Sequence, residues 1–322
     1  MPSPVVTLVS RRLLHLVPVW LGVSLLAFGL SSLAPGDPAA MILQRQTGEP
    51  PGQEAVERLR RELGLDDPFA ERYVRWIGNA AKGDLGTSYR SGAPVGETLL
   101  QSFPPTLELA VLALLLSVVV AIPVGVMAAV HRGAGIDSLS RLLALIGTST
   151  PSFVVGYLVI LLFAVSLKLL PAAGADGWRY VVLPVITLAL GEAAALTRLT
   201  RASMLEVLGE DYVRMARAKG VPERIVLARH ALRNALNPVV TLAGVRLGRL
   251  LGGAVIIETV FARPGLGRTL VDSIYDRDYP MIQGFILLAG TAFVLANLIV
   301  DLSYLWLDPR LRSVESSRRV AS

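Results

Sequence analysis

Three ionisable residues interrupt apolar stretches of this sequence and are its strongest candidates for chemistry. Glu192 lies in one apolar stretch, and Arg246 and Arg249 lie in the next. The two arginines are three residues apart, so they share one face of a helix. Charged side chains inside a membrane are costly and mark solute pathways or ion pairs by default. We therefore treat all three as candidate pathway residues, with simple packing between helices as the alternative.

The depth of these residues predicts how they pair. Glu192 is six residues before Arg198, roughly 9 Å along a helix, and Arg246 is eight after Pro238, roughly 12 Å. Glu192 and Arg246 should therefore meet across two antiparallel spans. Arg249 lies roughly 16 Å in, near the middle of a membrane, where it would face a pore and meet an anionic group.

Other catalytic arrangements are absent from the sequence. The chain has no cysteine, and its three histidines, at positions 15, 131 and 230, are far apart, so a metal site is not expected. There is no HExxH motif, no Ser/His pair within the apolar stretches, and Asp301 is the sole candidate membrane aspartate. A membrane-embedded enzyme is therefore disfavoured. No GxxxxGK[ST] loop is present either, so the chain lacks that phosphate-binding machinery.

The composition is that of a membrane protein. Of the 322 residues, 53% are hydrophobic and 17% charged, and the mean hydropathy is +0.56, whereas soluble domains carry about 25% charged residues. The net charge of +6 could suggest nucleic acid. The basic residues lie at the ends of apolar stretches rather than on one face, which is typical of the positive-inside bias instead.

Six apolar stretches are long enough to cross a bilayer. The first could also be a signal peptide, but its apolar run exceeds the roughly 7–15 residues of a usual signal sequence, so we interpret it as a retained helix. Prolines at positions 18, 123 and 151 predict kinks, and Pro151 is a further candidate pathway residue. The stretches are Leu13–Leu33, Leu107–Val130, Leu142–Leu170, Val181–Thr197, Val239–Ile257 and Met281–Leu307.

The distribution of Lys and Arg predicts the orientation. Segments 1–12, 131–141, 198–233 and 307–322 together carry sixteen of these residues, and the short loops on the other side carry five. Both termini and segment 198–233 are therefore expected in the cytoplasm. Segment 34–106 is expected outside as a small folded cap, with amphipathic helices at Glu54–Leu63 and Ala70–Ala81.

The most informative segment is Glu210–Pro238, which is polar and basic and lies between two apolar stretches. Its Gly220-Val221-Pro222 sequence predicts a helix, a break and a second helix, because glycine ends helices and proline begins them. That form is expected of a docking element. The alternative is an amphipathic helix lying on anionic lipid.

Residues 211–220 (DYVRMARAKG) and 229–235 (RHALRNA) resemble the cytoplasmic EAA loop of ABC importer permeases, and more narrowly the dipeptide, oligopeptide and nickel permease family. Several further motifs agree in order along almost the whole chain. Counted back from Gly220, the EAA positions are Arg214, Met215 and Ala216, so only the second alanine is kept. The further motifs are LAPGDP at 33–38, GDLGTS at 83–88, STPSF at 149–153, LTRASM at 199–204, ETVF at 258–261, PGLG at 264–267 and DPR at 308–310.

The resemblance implies an all-α membrane protein of six transmembrane helices, with the type I ABC importer transmembrane-domain fold and a small helical external cap between helices 1 and 2. It implies three parts: residues 1–94 with the first helix and cap, 95–307 with the transmembrane core and a cytoplasmic coupling loop at 198–238, and a tail at 308–322. Such a chain is a transport subunit, not an enzyme. It forms half of a translocation pathway for di- or oligopeptides, or for nickel chelates or other small solutes.

The resemblance also implies partners and contact residues. The partners are a second homologous permease, one or two ATPase subunits that bind ATP and Mg²⁺, an external solute-binding protein and membrane lipid. ATPase contact is expected at Arg214, Met215, Ala216, Arg217, Ala218, Lys219 and Gly220, chiefly Ala216 and Gly220, with Glu210 or Asp211 in place of the missing glutamate. An autonomous channel or secondary carrier is disfavoured, since it would not need so elaborate a docking loop.

Overall fold

The computed structural model describes residues 4–33 and 36–307, and these residues form helices and no β-strand; one antiparallel bridge joins Thr87 and Pro94. Two segments have π-helical hydrogen bonding, Ile160–Ser166 and Val226–Ala231. The helices are α1 Pro4–Leu33, α2 Pro38–Thr47, α3 Gln53–Glu62, α4 Phe69–Ala80, α5 Val95–Val130, α6 Gly135–Ser149, α7 Ser152–Val159, α8 Arg179–Leu208, α9 Asp211–Ala218, α10 Glu223–Ile225, α11 Leu232–Val260, α12 Leu266–Tyr275 and α13 Tyr279–Leu307.

Four helical stretches in the described residues are long and apolar enough to cross a membrane. They are Val95–Val130, Arg179–Leu208, Glu223–Val260 and Tyr279–Ala296. Two bent pairs also qualify, Val17–Leu33 with Pro38–Arg45 and Gly135–Ser149 with Ser152–Ser166. If each pair is one span, the total is the six that the sequence predicts.

The third predicted span differs from its expected form. Leu142–Leu170 should be one kinked helix, but the chain bends by 106° between Gly135–Ser149 and Ser152–Ser166. Thr150 is extended, with ψ 126°, and Pro151 follows it. Proline has no N–H to donate and disfavours helical backbone in the residue before it, so the helix ends here and a new one begins.

The structure divides into two compact units. The first holds residues 1–104 and 265–294, so α12 and most of α13 group with the N-terminal segment. Its apolar core includes Val95, Leu99 and Phe285. Gly284 permits this contact, because a Cβ there would lie 2.5 Å from Val95 Cγ1.

The cap of this unit contains the two predicted helices, α3 and α4, and one more. The unpredicted α2 begins at Pro38, with Asp37 as its N-cap accepting a hydrogen bond from the Ala39 amide at 3.0 Å. Phe28 of α1 contacts the rings of Phe69 and Tyr73 in α4 at centroid distances of 5.4 and 5.7 Å. Aromatic contacts therefore fix α4 on α1.

The second unit holds residues 105–264 and 295–322, of which 308–322 lie outside the described residues. Its largest core cluster joins α5, α7, α8 and α11, with Leu109, Leu183 and Ile257 completely buried. Gly125 allows α5 to approach α8, since a Cβ there would lie 2.6 Å from Thr200 Cβ and 3.0 Å from the Thr197 carbonyl oxygen. This packing fixes the helices that carry the candidate residues.

Candidate functional site

Glu192 and Arg246 form the ion pair that their depth predicts. Glu192 Oε2 on α8 lies 3.0 Å from Arg246 Nη1 on α11, and the two side chains are only 15% and 20% exposed. Within the described residues, Glu192 Oε2 accepts no well-directed hydrogen bond, so the contact is mainly electrostatic. The pairing is confirmed, while a role in transport stays a prediction.

Arg249 has a different environment, although it is only three residues from Arg246. It is exposed and makes no ion pair with any residue in the described part of the chain. It lines a cavity of about 160 Å³ in the second unit together with Glu192. Thr150 and Ser152, the neighbours of Pro151, line the same cavity, whereas Pro151 itself is not among its lining residues. The structure therefore brings Arg249, Glu192 and the break around Pro151 to one place.

Two further contacts of acidic side chains, one with a hydroxyl group and one with an arginine, lie near the ends of spans and were not singled out from the sequence. Glu258 is completely buried and accepts a hydrogen bond from Thr106 Oγ1. Arg263 is buried, and its Nη2 donates to Glu108 Oε2. The available signal was their position: Glu108 is the second residue of the stretch Leu107–Val130, and Glu258 directly follows the stretch Val239–Ile257. An acid at the edge of an apolar stretch needs a partner.

A bidentate ion pair joins the start of α6 to α8. Arg201 Nε and Nη2 donate to Asp137 Oδ1 and Oδ2 at 2.5 and 2.9 Å. Asp137 is 1% exposed and also accepts a hydrogen bond from the Gly133 amide at 3.0 Å. Bidentate arginine–carboxylate pairs fix geometry as well as charge. This pair therefore fixes the start of α6 against α8, which leads into the polar segment Glu210–Pro238, called the basic segment below.

The basic segment has the predicted form of a helix, a break and a second helix. The helix α9 spans Asp211–Ala218, and Gly220 follows with φ +75°, a conformation that glycine adopts without strain. Pro222 precedes α10, which continues through the π-helical segment into α11. The second helical piece is therefore continuous with the next membrane helix.

One ion pair bridges the break. Arg217 Nε and Nη2 donate to the two carboxylate oxygens of Glu223 at 3.1 and 2.7 Å. Hydrogen bonding to this carboxylate raises the pKa of the Arg217 guanidinium above its ordinary value. The two sides of the Gly220 turn are therefore connected by charge as well as by backbone.

The basic segment also has its own small apolar core. Val213, Ala216 and Val226 are buried together, with Val207, Leu208 and Val221 against them. Ala216 is 8% exposed, so its side chain faces inward beneath α9. Ala216 thus packs α9 against this core, and its expected role in ATPase contact stays a prediction.

The outward surface of α9 consists of other residues of the predicted set. Met215 is 59% exposed, and Arg214, Arg217, Ala218, Lys219 and Gly220 are also exposed. Arg214, at the position of the missing glutamate, donates to the Gly209 carbonyl oxygen at 2.7 Å and lies 3.4 Å from Asp211 Oδ1. Glu210 is the N-cap residue, but its side chain makes no capping hydrogen bond. The geometry does not show which acid, Glu210 or Asp211, takes the place of the missing glutamate.

Long apolar helices, with a folded polar segment leading into one of them, are the features of a polytopic membrane protein. Two family models match the chain: the inner membrane component of binding-protein-dependent transport systems over residues 121–313, and the N-terminal region of such membrane components over residues 5–110. The chain belongs to this family of ABC importer permeases, in its peptide and nickel branch. Its homologues are transport components rather than enzymes.

Individual relatives agree with this family. The chain is 45% identical over 304 residues to the glutathione transport system permease protein GsiC of Escherichia coli O6:H1, covering 94% of this chain and 98% of that protein. It is 44% identical, with the same coverage, to the protein of that name from Shigella dysenteriae serotype 1. A solved chain of the inward-facing MetNI methionine ABC transporter matches with a TM-score of 0.55 and 20% identity, covering 66% of this chain and 96% of that one. This last match supports the fold alone.

Proposed function

We propose that this chain is one of two homologous permease subunits of an importer for di- or oligopeptides or related peptide-like solutes. An external binding protein delivers the solute, and ATPase subunits bind ATP and Mg²⁺ and drive the transport cycle. The 45% identity to a permease named for glutathione, itself a peptide, supports the choice of solute class. Nickel chelates and other small solutes remain the competing class.

The basic segment is the proposed docking site for an ATPase subunit. The observation that carries this proposal is α9, which is folded on its own core and exposes Met215, Ala218 and Lys219 on the opposite surface. α10 and the π-helical segment run into α11 without a loop, and Arg217 Nη2 lies 2.7 Å from Glu223 Oε1 across the Gly220 turn. A displacement of α9 would therefore be passed through this ion pair to a membrane helix. An amphipathic helix that only rests on lipid would not need this connection.

The proposed orientation places the basic segment and both chain termini in the cytoplasm and the α2–α4 cap outside. Sixteen Lys and Arg residues on the proposed inner side, against five in the short outer loops, support this choice. The cytoplasmic tail, 308–322, and the DPR motif at its start lie outside the described residues.

The function is tested by uptake in cells that express the chain with its second permease, ATPases and binding protein. We expect radiolabelled glutathione or trialanine to enter only when this chain is present. Uptake of a nickel chelate but of neither peptide would assign the competing solute class. Unchanged peptide uptake after deletion of the chain would contradict the permease assignment itself.

Docking is tested separately with Gly220→Arg. A side chain at φ +75° strains the break and adds bulk beside α9. We expect normal amounts of membrane-inserted protein, loss of ATPase co-purification and loss of uptake. Gly252→Arg would be a poor control because it adds charge within the membrane, so Gly48→Arg in the cap, also at positive φ (73°), is the matched variant and should keep ATPase co-purification.

A further inference from the structure

The helix α11 has an exposed face in the middle of its length. Between positions 245 and 256, the residues exposed on this face are Val245, Arg249, Gly252, Gly253 and Ile256. Their spacing of three or four residues places them on one stripe of the helix. The opposite stripe is buried and includes Leu250, Ala254 and Ile257. This exposed face therefore meets something other than the rest of the described chain.

The composition of the exposed face does not suit lipid. Arg249 is eleven residues from both Pro238 and Val260, about 16 Å from each, so it lies near the middle of a hydrocarbon core of about 30 Å. A guanidinium at that depth needs water, a counter-ion or a polar cavity. Gly252 and Gly253 leave open space beside it, since a Cβ at either position would contact nothing within 4 Å.

A polar cavity is present at this point. It has a volume of about 160 Å³, and its lining includes Arg249, Glu192, Thr150, Ser152 and Gly253. The hydroxyl group of Ser152 can donate a hydrogen bond, whereas Thr150 Oγ1 already donates to the Ile146 carbonyl oxygen at 2.8 Å. The guanidinium of Arg249 donates through several N–H groups in a planar fork that matches a carboxylate. The cavity thus offers the groups that recognise a carboxylate.

The charge balance of the cavity decides which sign of ligand it would take. Glu192 is already paired with Arg246 at 3.0 Å, so their charges offset each other. Arg249 makes no ion pair within the described residues and leaves one surplus positive charge. Arg249, whose charge is not offset by an ion pair, is therefore the arginine that lines the cavity.

We infer that Arg249 binds a carboxylate of the transported solute within the translocation pathway and favours solutes with more carboxylates than amino groups. This inference rests on the proposed permease function and adds a selection step within the membrane. Ser152, at the break in the third span, provides an additional hydrogen-bond donor. The Glu192–Arg246 pair acts as a positioning pair, because it occupies the nearby carboxylate that would otherwise neutralise Arg249.

The chain contains no cysteine, so Arg249→Cys would be its single thiol. The variant is assembled with the second permease, ATPases and binding protein in membrane vesicles. It is then treated with water-soluble methanethiosulfonate reagents that attach either a positive or a negative group of similar size. Leu115→Cys, on an exposed apolar part of α5, is the matched control for a thiol facing lipid. The wild-type complex, treated identically, gives the background.

We expect the thiol at position 249 to react from water and the thiol at position 115 to remain unmodified. Before treatment, Arg249→Cys should reduce glutathione uptake by about tenfold or more, the scale of losing a hydrogen bond to a charged group. The positive reagent should restore uptake to within about threefold of the wild type, the shortfall reflecting the missing guanidinium fork. The negative reagent should restore none.

Two results would overturn the inference while leaving the permease function intact. One is wild-type uptake by Arg249→Cys. The other is a thiol that does not react in the assembled complex, together with reduced co-purification of the second permease, which would assign Arg249 to a contact between subunits. If the wild-type complex itself imports neither glutathione nor trialanine, the proposed function fails, and this failure is visible without any variant.

Discussion

Glu192 and Arg246 lie 3.0 Å apart on two helices that enter and leave the basic segment, α8 and α11. Both side chains are largely shielded, and the pair connects the helix before the segment to the helix after it. An isolated charge of either sign at this depth would be costly, so each residue stabilises the other. The pair therefore has a structural role whatever the solute is.

Removal of one member of this pair should destabilise the protein more than removal of both. We expect Glu192→Leu or Arg246→Leu to lower stability by about 1–3 kcal/mol, because each leaves an unpaired charge, and Glu192→Leu/Arg246→Leu to recover much of that loss. Thermal unfolding of the purified protein in detergent gives the coupling from a double-mutant cycle. Strictly additive losses would show that the two groups do not interact in the membrane.

The Asp137–Arg201 pair should contribute more to the stability of the protein than the neighbouring Arg141 does. Asp137→Asn removes the charge that holds Arg201 in a bidentate contact, so we expect a lower melting temperature. Arg141→Ala is the control, since Arg141 Nε is 3.8 Å from Asp137 Oδ1 and its side chain is 58% exposed. Equal effects of the two substitutions would contradict the assigned importance of the bidentate pair.

Two glycines in membrane helices should respond oppositely to alanine. Gly125→Ala places a methyl group 3.0 Å from a backbone oxygen of α8 and should cost about 1–3 kcal/mol of stability. Gly252→Ala meets nothing within 4 Å and should leave the stability of the isolated chain unchanged or slightly higher, because alanine favours helix. Thermal unfolding of both variants in detergent tests the packing; a tolerant Gly125→Ala would show that α5 and α8 are farther apart.

A substitution on the surface of α9 should have a different effect from a substitution in the small core beneath it. Met215→Glu changes an exposed side chain, so we expect a folded protein that loses ATPase co-purification. Val213→Glu buries a charge in the small core beneath α9, so we expect increased protease cleavage within 198–238 as well as lost co-purification. Limited proteolysis with co-purification distinguishes the two. Retained ATPase binding by Met215→Glu would move the docking site away from this surface.

The proposed orientation can be checked with single cysteines in the cysteine-free chain. Lys219→Cys, on the exposed end of α9, should react with a membrane-impermeant thiol reagent only when the cytoplasmic side is open to it. Glu57→Cys in α3, which is exposed in the cap, should react in intact cells stripped of any outer barrier. Reaction of Lys219→Cys from the outside would reverse the assignment of sides.

The sequence was sufficient for features that depend on local pattern. Apolar length predicted the spans, Gly220 and Pro222 predicted the break, and residue counting along two helices predicted the Glu192–Arg246 contact. Each depends on the rise of a helix or on the backbone limits of glycine and proline. The depth of a residue along a membrane helix could be derived because it depends only on the rise per residue and the number of residues counted.

Features that depend on the direction of a side chain could not be predicted in the same way. Ala216 is buried in one cluster with Val213 and Val226, which the family pattern does not show. Asp137 and Arg201 are 64 residues apart, and no periodicity connects them. The 106° bend at Pro151 also exceeds an ordinary proline kink, because Thr150 leaves the helical region as well. These outcomes depend on packing between distant elements.

The core of Val213, Ala216 and Val226 has a thermodynamic consequence for assembly. Because α9 is folded before any partner arrives, binding to it requires little loss of conformational entropy, and the contact is preorganised. Weak binding of an ATPase subunit would then reflect few contacts rather than the cost of ordering a loop. In the proposed docking, a preorganised element would also deform little under load, so little of the free energy that the ATPase supplies would be spent on refolding the docking site.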